Sequence, residues 1–267
     1  MTPKTALRSF DINFFDVVHA GETHRVQIKR VATARRLTLR VRAATRDVVL
    51  TLPPRGSLIR AKVFVDRHAG WIGARLARLP APTPFGPGAV IPLRGVLHEI
   101  THRTGARGTV WTEALATDAD ALLNPGALPK LGALPRLCVS GDAPFVARRV
   151  HDFLMREARR DLLVAVARHT ATLGVTARRL TLRDTTTRWG SCSSAGALNF
   201  SWRLIMAPPF VLDYLAAHEV AHLVHMNHSA AFWAVAKRLV PDMDRAEAWL
   251  KVHGVELMRF GSNAGSP

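Results

Sequence analysis

The first half of the chain alternates hydrophobic and polar residues with a period of two. Three such stretches follow one another from residue 24, and turn or breaker residues close each of them: HRVQIKRV, RLTLRVRA and DVVLTLP. Successive side chains of a β-strand point to opposite faces, so this pattern predicts strands with one buried face. We expect these strands to form an antiparallel sheet. Further along, GVLHEITHR and GTVWTEA flank TGAR, which predicts a second hairpin.

Elsewhere the hydrophobic period changes to three or four residues, which is typical of helices that pack on one side. Ser57 is the expected N-cap of one such stretch, and prolines from Pro80 onward end it. A longer stripe begins after Asp142 and stops near Gly174, which predicts a long helix. Its apolar positions are Val146, Val150, Phe153, Leu154, Ala158, Leu162 and Val166.

The last third of the chain combines short strands with three helices. RRLTLRD and ALNFSWRLI are the expected strands, and they surround the small-residue loop WGSCSSAG. Pro208 and Pro209 open a helix that contains residues 218–228. SAAFWAVAKRLV and RAEAWLKVH predict two shorter helices. Strands followed by helices make the predicted fold class α+β, with an antiparallel β-rich N-terminal half.

Composition divides the chain into four predicted parts. The segment ATDADALLNPGALPKLGALP is low in charge and broken by Pro and Gly, so we expect it to connect two halves. The predicted parts are an N-terminal extension (1–23), a β-rich region (24–138), a region with the metal-binding helix (139–258) and a flexible tail (259–267). With 267 residues, of which 48% are hydrophobic, the chain is long enough to bury a substantial core.

The sequence also indicates a compartment. No apolar run has the length needed to span a bilayer, and MTPKTALRSFDINFFDVV lacks the apolar stretch and cleavage site of a signal peptide. Cys138 and Cys192 are too few for a disulfide framework, which suits a reducing environment. We therefore expect a cytoplasmic protein without a membrane partner.

Charge is the most unusual feature of the composition, with 37 Lys and Arg residues, 20 Asp and Glu residues and a net charge of +17. The densest basic stretch comprises Arg25, Lys29, Arg30, Arg35, Arg36, Arg40, Arg42 and Arg46. A field of this size attracts nucleic acid or polyphosphate, but few aromatic residues interleave with it to stack single-stranded bases. Two interpretations stay open: a solvated face of the sheet, or a surface that binds anions in a supporting role.

Residues 218–228, HEVAHLVHMNH, place four histidines and one glutamate in eleven positions. His218 and His222 are four apart on the predicted helix, so their imidazoles share one face. Both can then reach one ion at about 2.0–2.1 Å. Glu219 is rotated by about 100° from His218, where it can contact a metal-bound water without being a ligand. H-E-x-x-H is the helix signature of zinc proteases.

The length of this helix decides between two candidates for the third ligand. His225 shares the face of His218 and His222, but it lies about 10.5 Å from His218 along a straight axis. Three imidazoles spread over that length do not converge on one ion. If the helix stops at Asn227, a residue type that tolerates the left-handed conformation ending many helices, the chain can return His228 to the ion. The predicted ligands are therefore His218, His222 and His228, with a fourth position for water.

Two alternatives to this ligand set stay open. Asp244 or Glu247, on the following helix, could supply a carboxylate as the third ligand. The histidines could also lie on the surface of an amphipathic helix that binds no metal.

Several other side chains are candidates for the site. Cys192 in WGSCS could be a nucleophile, but a small residue packed in a tight loop is favoured. Arg188 and Trp189 are candidates for binding substrate in the cleft. Tyr214, the only tyrosine, lies one turn before His218, and we expect it to pack in the core.

AAHEVAHLVHMNHSAAFW and RWGSCSSAGALNFSWRLIMAP together resemble the YgjP-like family of metal-dependent peptidases, which is related to the SprT-like and WLM zincins. The resemblance runs from about residue 24 to 255. It implies a zincin-like catalytic region at 139–258, with three histidines as ligands and Glu219 as general base. It also implies that Asn199 and Trp202 lie on a strand beside the metal helix and bind an extended substrate. His225 stands where metzincins have Gly, which argues against a metzincin.

The leading hypothesis is a zinc-dependent hydrolase that cleaves a peptide or protein substrate with metal-activated water. A second is a metal-dependent phosphohydrolase that holds nucleotides with the basic residues. A third is a nucleic-acid-binding protein with a structural zinc, although such sites normally have four protein ligands. Cobalt, nickel or manganese could replace zinc. The sequence gives no basis for predicting the oligomeric state.

Overall fold

A computed structural model describes residues 13–43, 45–114, 134–185 and 188–261. The chain forms two compact units, residues 1–80 and 81–267, so the predicted boundary after residue 138 falls inside the second unit. The low-charge segment that was expected to connect two halves lies outside the described residues, except for its last two. In its described part, residues 13–23, the predicted N-terminal extension contains one whole strand and the start of a second.

The alternating residues of the first unit form a four-stranded sheet in the order β1-β2-β4-β3. Its strands are β1 (Phe14–His19), β2 (Glu22–Arg30), β3 (Thr38–Val41) and β4 (Val48–Leu52). The three predicted strands are confirmed, but their pairing is not purely antiparallel, because β2 and β4 run parallel. Alternation fixes which face a residue occupies, but it does not fix which strand lies next to it.

Two helices cover one side of this sheet: α1 (Leu58–Arg67) and α2 (Ala69–Ala77). Ser57 is the N-cap of α1, as predicted, and its hydroxyl accepts a hydrogen bond from Arg60 N. The inward residues of the strands, such as Val26 and Leu50, pack with Ile72 of α2 in one hydrophobic cluster. The sequence pattern of the first unit is therefore satisfied by a core of its own.

Part of the basic stretch in this unit holds the backbone together. Arg46 donates to the carbonyls of Leu76, Leu79 and Pro80, at the end of α2. Arg30 donates to three carbonyls between residues 53 and 56. A guanidinium near a helix C-terminus satisfies carbonyls that have no partner in the helix and opposes the negative end of the dipole. These two arginines therefore have structural partners.

The second unit begins with a four-stranded sheet in the order β5-β6-β8-β7. Its strands are β5 (Val90–Leu93), β6 (Val96–Arg103), β7 (Val110–Glu113) and β8 (Arg136–Ser140). The predicted hairpin between β6 and β7 is wrong, because β8 lies between them and pairs with both. The turn at TGAR reverses the chain, but a strand from later in the sequence inserts between its two arms.

The remaining elements form the helical part of the second unit. The helices are α3 (Val146–Leu173), α4 (Pro209–Ala221), α5 (Ala230–Leu239) and α6 (Met243–Leu257). The strands are β9 (Arg179–Arg183), β10 (Gly190–Cys192) and β11 (Ala197–Ser201), in the order β10-β11-β9. Gly174 ends α3 in the left-handed conformation, with φ 67°, which permits the predicted stop. A turn of 3₁₀ helix, Trp202–Met206, links β11 to α4.

Helix α4 lies in the main core of the second unit. Nine of its thirteen residues are buried, and six of these pack with α3, β11 and the sheet of β5 to β8 in one hydrophobic cluster. A helix enclosed on most sides has little freedom to shift, which favours a precise site at its end. The predicted α+β fold class is confirmed. None of the helices in the described ranges has the length and hydropathy of a membrane span.

Candidate metal centre

Helix α4 carries the first two histidines on its last turn. Pro208 and Pro209 begin the helix, as predicted, because a proline in the first turn forfeits no internal hydrogen bond. His218 and His222 lie one turn apart, and their ring centroids are 5.1 Å from each other. The side chains therefore share a face, as the spacing of four requires.

The helix ends earlier than predicted. Its last residue is Ala221 and His222 is the C-cap, whereas the sequence analysis placed the end at Asn227. Asn227 has no positive φ in the structure, so it does not act as the left-handed terminator. The amides of Leu223, Val224 and His225 bond instead to carbonyls three or four residues earlier, in a tightening final turn.

This early end brings His228 back to the helix. His228 Nε2 lies 3.1 Å from His218 Nε2, and the candidate ligand atoms of His218, His222 and His228 all lie within 4.8 Å of one another. Among the described residues, neither Asp244 nor Glu247 belongs to this cluster. The geometry therefore brings together the three histidines that the sequence analysis selected.

His225 has a different position from the one expected of it. It lies beyond the helix rather than on its face, and its backbone carbonyl is 3.0 Å from His222 Nδ1. Because a carbonyl only accepts, His222 donates through Nδ1 and its Nε2 carries the free lone pair. The carbonyl of His225, not its imidazole, thus fixes the tautomer of His222.

An aromatic wall supports the three imidazoles from one side. The ring of Phe232, which is fully buried, stacks on His222 with centroids 4.4 Å apart. The same ring meets His218 and His228 edge-on, at 5.0 and 4.8 Å. Phe232 is on α5, whose N-cap Ser229 directly follows His228, so the loop that carries His228 is anchored at both ends.

Burial, followed by the neighbouring His222 and His228, lowers the pKa of His218 to about 4. Burial also lowers the pKa of His222. Both imidazoles are therefore neutral near pH 7, which is the form that binds a metal.

Glu219 follows His218 in the last turn of α4 and is only 4% exposed. Its Oε2 is buried without a hydrogen-bond partner among the described residues. Burial raises the pKa of this carboxyl to about 7, against the positive charge of Arg188, which lowers it. An unpartnered buried carboxylate is costly, and such groups are concentrated at functional sites.

Strand β10 comes close to this carboxylate. A Cβ added to Gly190 would lie 2.7 Å from Glu219 Cγ, so a side chain there would displace the glutamate. Gly190 was not among the site residues predicted from the sequence. A glycine within a strand indicates a close approach of another group, and WGSCS offered that signal.

The residues of β10 and β11 alternate between two faces of their sheet. Gly190 faces Glu219, so Ser191 and its paired residue Asn199 point to the opposite face. There Asn199 donates to Ser191 Oγ at 3.4 Å and accepts from Arg183 at 2.9 Å. The structure does not bring Asn199 to the three histidines. Strand β11 is also central in its sheet, so it has no free edge to receive a peptide.

Trp202 requires a correction as well. It is 1% exposed, and its ring packs against Phe85, His151 and the guanidinium of Arg203. A ring enclosed in this way cannot contact a substrate. Trp202 begins the 3₁₀ turn after β11, where it is a core residue instead of a substrate-binding one.

The other candidate residues differ in their exposure. Arg188 is exposed and acts on Glu219 through its charge. The ring of Trp189 is half-buried and close to Gly254 of α6, where an added Cβ would lie 3.3 Å from the indole. Cys192 is half-buried, and burial followed by the charge of Glu219 raises the pKa of its thiol. A raised pKa disfavours the thiolate that a nucleophile needs.

A cavity of about 580 Å³ adjoins the centre, with His222, Leu223, Arg178 and Ser194 in its wall. Another, of about 490 Å³, lies at the start of α4 and is lined by residues that include Arg94 and Phe210 but none of the three histidines. Only the first of these two spaces is placed to hold part of a molecule that reaches the metal centre.

Comparisons with known proteins agree with this chemistry. A model of the YgjP-like metallopeptidase domain matches residues 35–253. No curated protein matches the chain. Among solved structures, the chain is similar to the metallopeptidase zymogen abylysin of Pyrococcus abyssi, with a TM-score of 0.32 and 17% identity over 34% of this chain and 95% of that one. That similarity is too weak to carry an argument. Because the family model spans most of the sequence, the chain belongs to the YgjP-like metallopeptidase family.

Proposed function

We propose that this protein is a zinc-dependent peptidase in which His218, His222 and His228 hold the ion and Glu219 is the general base. Two observations carry the proposal: three imidazole nitrogens converge within 4.8 Å, and Glu219, which directly follows His218, has a buried carboxylate oxygen without a partner among the described residues. Family membership favours a peptide or protein substrate.

The donor set fits a catalytic zinc ion. Such sites use three protein ligands and leave a fourth position open, whereas structural sites normally have four protein ligands. Three histidines with convergent nitrogens match the first pattern. Among the described residues the cluster contains no fourth side chain, which disfavours a purely structural zinc.

A zinc ion held here would lower the pKa of a bound water and would polarise the carbonyl of the scissile bond. The chain's own contribution is the proton transfer. Glu219 would accept the proton of the attacking water and pass it to the leaving amine. Its pKa of about 7 is near the value at which a carboxyl both accepts and returns a proton at neutral pH.

The position of β10 supports a route for the substrate. This strand is at an edge of its sheet, and its Gly190 faces Glu219. An extended peptide paired with the free edge of β10 would pass close to Glu219. In this proposal the substrate pairs with β10, instead of with the strand of Asn199 and Trp202 as the sequence suggested. Arg188 is then an exposed cation near the reacting groups.

Metal content tests the ligand assignment. We expect His218→Ala, His222→Ala and His228→Ala each to lose zinc on purification, because two imidazoles bind far more weakly than three. His225→Ala is the matched control. It retains zinc, since the backbone carbonyl that holds His222 is unchanged. Elemental analysis by mass spectrometry gives the stoichiometry and also identifies cobalt, nickel or manganese.

Retention of zinc by His228→Ala together with its loss from His225→Ala would overturn the assignment. A hydrolysis screen with peptides and nucleotides follows on the zinc-loaded protein. Cleavage of nucleotides but not of peptides would replace the peptidase by the phosphohydrolase.

A further inference from the structure

Tyr214 and Glu247 form a hydrogen-bonded chain that ends at the first histidine. The Tyr214 hydroxyl lies 2.6 Å from Glu247 Oε1 and 3.5 Å from His218 Nδ1. Tyr214 is on α4, one turn before His218, and only 5% exposed. Glu247 reaches it from α6, which packs on α4. From the sequence, Tyr214 was expected to pack in the core, and Glu247 was an alternative metal ligand.

The chemistry of the two side chains gives this chain a direction. The Tyr214 hydroxyl donates its single proton to Glu247 Oε1, which accepts it. The phenol oxygen can then only accept from His218, which must carry its proton on Nδ1. That tautomer leaves the lone pair of His218 on Nε2, the atom that is 3.1 Å from His228 Nε2.

His218 and His222 are thus held in the same manner by different groups. His222 donates through Nδ1 to a backbone carbonyl at 3.0 Å, and no side-chain substitution removes that carbonyl. His218 depends on a side-chain hydroxyl. The chain contains one tyrosine and eleven phenylalanines, so it fills most buried aromatic positions without a hydroxyl. This favours a role for the oxygen beyond packing.

We propose that Tyr214 and Glu247 are positioning residues for His218, fixing its tautomer and ring orientation for metal binding. The inference rests on the proposed function, because it requires that His218 is a ligand. Partners of this kind orient the histidine and raise its basicity, and their removal typically costs about 10–100-fold in metal affinity.

The test measures zinc affinity by competition with a chelator, without any assay of hydrolysis. Tyr214→Phe keeps the ring and removes the oxygen, and we expect its zinc Kd to rise about 10–100-fold. Glu247→Ala should raise the Kd by a smaller factor. In the double variant the Kd should equal that of Tyr214→Phe, because Glu247 acts only through the hydroxyl. Glu256→Ala, which removes an exposed carboxylate from the same helix, is the matched control and should leave the Kd unchanged.

A second measurement uses the unaltered chain. Since Tyr214 is the only tyrosine, labelling tyrosine with ¹³C at Cζ gives one NMR resonance. Zinc addition should shift it, because the hydrogen bond from His218 strengthens when Nε2 is engaged. In Glu247→Ala the zinc-dependent shift should become smaller. This readout does not depend on how well Tyr214→Phe folds.

The outcomes separate this inference from the proposed function. If the unaltered protein binds no zinc, both fail. If the unaltered protein binds zinc, two results would overturn only the inference and make Tyr214 a packing residue. One is an unchanged zinc Kd in Tyr214→Phe, and the other is a tyrosine resonance that does not shift when zinc is added. Glu247→Ala could also raise the zinc Kd by the same factor in the Tyr214→Phe variant as in the unaltered protein. In that case Glu247 does not act through the hydroxyl, and the proposed chain from Glu247 through Tyr214 to His218 is wrong.

Discussion

The two units of this protein differ in their density of positive charge and in the burial of their polar residues. Residues 1–80 contain 16 Lys and Arg residues and five Asp and Glu residues, whereas residues 81–267 contain 21 and 15. The first unit therefore has the higher density of positive charge. Yet the seven polar or charged residues that are buried in the described ranges all belong to the second unit. They are His98, Ser140, His169, Ser201, Arg203, Glu219 and His222.

This contrast indicates where chemistry is expected. An exposed charge costs little to keep and is screened by solvent, so a high density of such charges leaves the fold unaffected. A buried polar group must be balanced by hydrogen bonds or by a ligand. Some of the buried groups have partners within the fold: His169 bonds to Asp213, and Arg203 donates to Asp184 through Nη1, although its Nε has no partner among the described residues. Glu219 Oε2 also has no partner among the described residues, and Glu219 directly follows His218, one of the three histidines, in the chain.

The largest expected effect tests whether Glu219 is the group that makes the second unit catalytic. Glu219→Gln keeps the size of the side chain but cannot accept a proton. We expect the rate of peptide hydrolysis to fall about 10²–10⁴-fold while the zinc stoichiometry stays unchanged. The measurement pairs initial rates with elemental analysis of the same preparation. Full activity in a zinc-loaded Glu219→Gln protein would exclude the general base, and loss of zinc would make Glu219 a ligand or a support.

The next effect concerns the close approach of β10. Gly190→Ala would place a Cβ 2.7 Å from Glu219 Cγ and 2.8 Å from Cδ, so the carboxylate must move. A displacement of about 1 Å in a reacting group can cost 10²-fold in rate, and we expect a loss of that order with zinc still bound.

Gly86→Ala is the matched control for this variant. It lies in the same unit, and an added Cβ there meets nothing within 4 Å. We expect its rate to stay within a factor of two of the unaltered protein. Equal rates in Gly190→Ala and Gly86→Ala would show that the fit between β10 and Glu219 is not needed for catalysis.

The sequence predicted the local features of both units well and the long-range ones less well. Period-two alternation identified β2 and β4, and Ser57 and Gly174 marked helix ends, because these signals depend on neighbouring residues. The parallel pairing of β2 with β4 and the insertion of β8 between β6 and β7 depend on residues far apart in the chain. The hydrophobic periodicity of a strand does not predict which other strand it pairs with.

The metal centre shows the same limit. The spacing of four between His218 and His222 placed them correctly, since helix geometry is local. The end of α4 was predicted at Asn227 but occurs at Ala221. His225 therefore lies beyond the helix, whereas it was excluded as a ligand because of its distance from His218 along a longer helix. The face of Asn199 could not be predicted either, because it is set by the pairing of β11 with β10.

A smaller effect tests the structural use of arginine in the first unit. Arg46 donates three hydrogen bonds to carbonyls at the end of α2. Hydrogen bonds to charged groups contribute about 1.5–3 kcal/mol, so we expect Arg46→Ala to reduce the free energy of unfolding of this unit by about 2 kcal/mol. Hydrogen exchange read by mass spectrometry reports protection of α2 separately from α4.

Arg40→Ala is the matched control, because Arg40 is exposed on β3. Surface substitutions of this kind usually change stability by about 0.5 kcal/mol or less. If Arg46→Ala and Arg40→Ala have the same effect, the basic stretch is surface charge throughout. Loss of protection in α4 as well as in α2 would show that the two units do not unfold independently.

The smallest effect is expected from the exposed part of the basic stretch. Arg35, Arg36 and Arg40 are exposed, whereas Arg25 and Arg42 are paired with Asp16 and Asp47. Changing the three exposed arginines to glutamate should leave zinc content and peptide hydrolysis within a factor of two. Binding to duplex DNA should be weak in the unaltered protein, about 10⁻⁴–10⁻⁶ M at physiological salt, as for non-specific contacts.

The salt dependence of DNA binding shows whether these arginines contact phosphates directly or only add to the net positive charge of the protein. Each phosphate contact contributes about −0.9 to the slope of log K against log salt. Loss of three contacts therefore flattens the slope by nearly three, whereas a general reduction in charge weakens binding without such a change. Arg148, Arg156 and Arg159 of α3, also exposed, provide a control with the same change in net charge. We expect both triple variants to weaken binding equally and slightly. Tight binding that only the Arg35, Arg36 and Arg40 variant loses, with the slope flattened, would instead make the first unit a nucleic-acid-binding module.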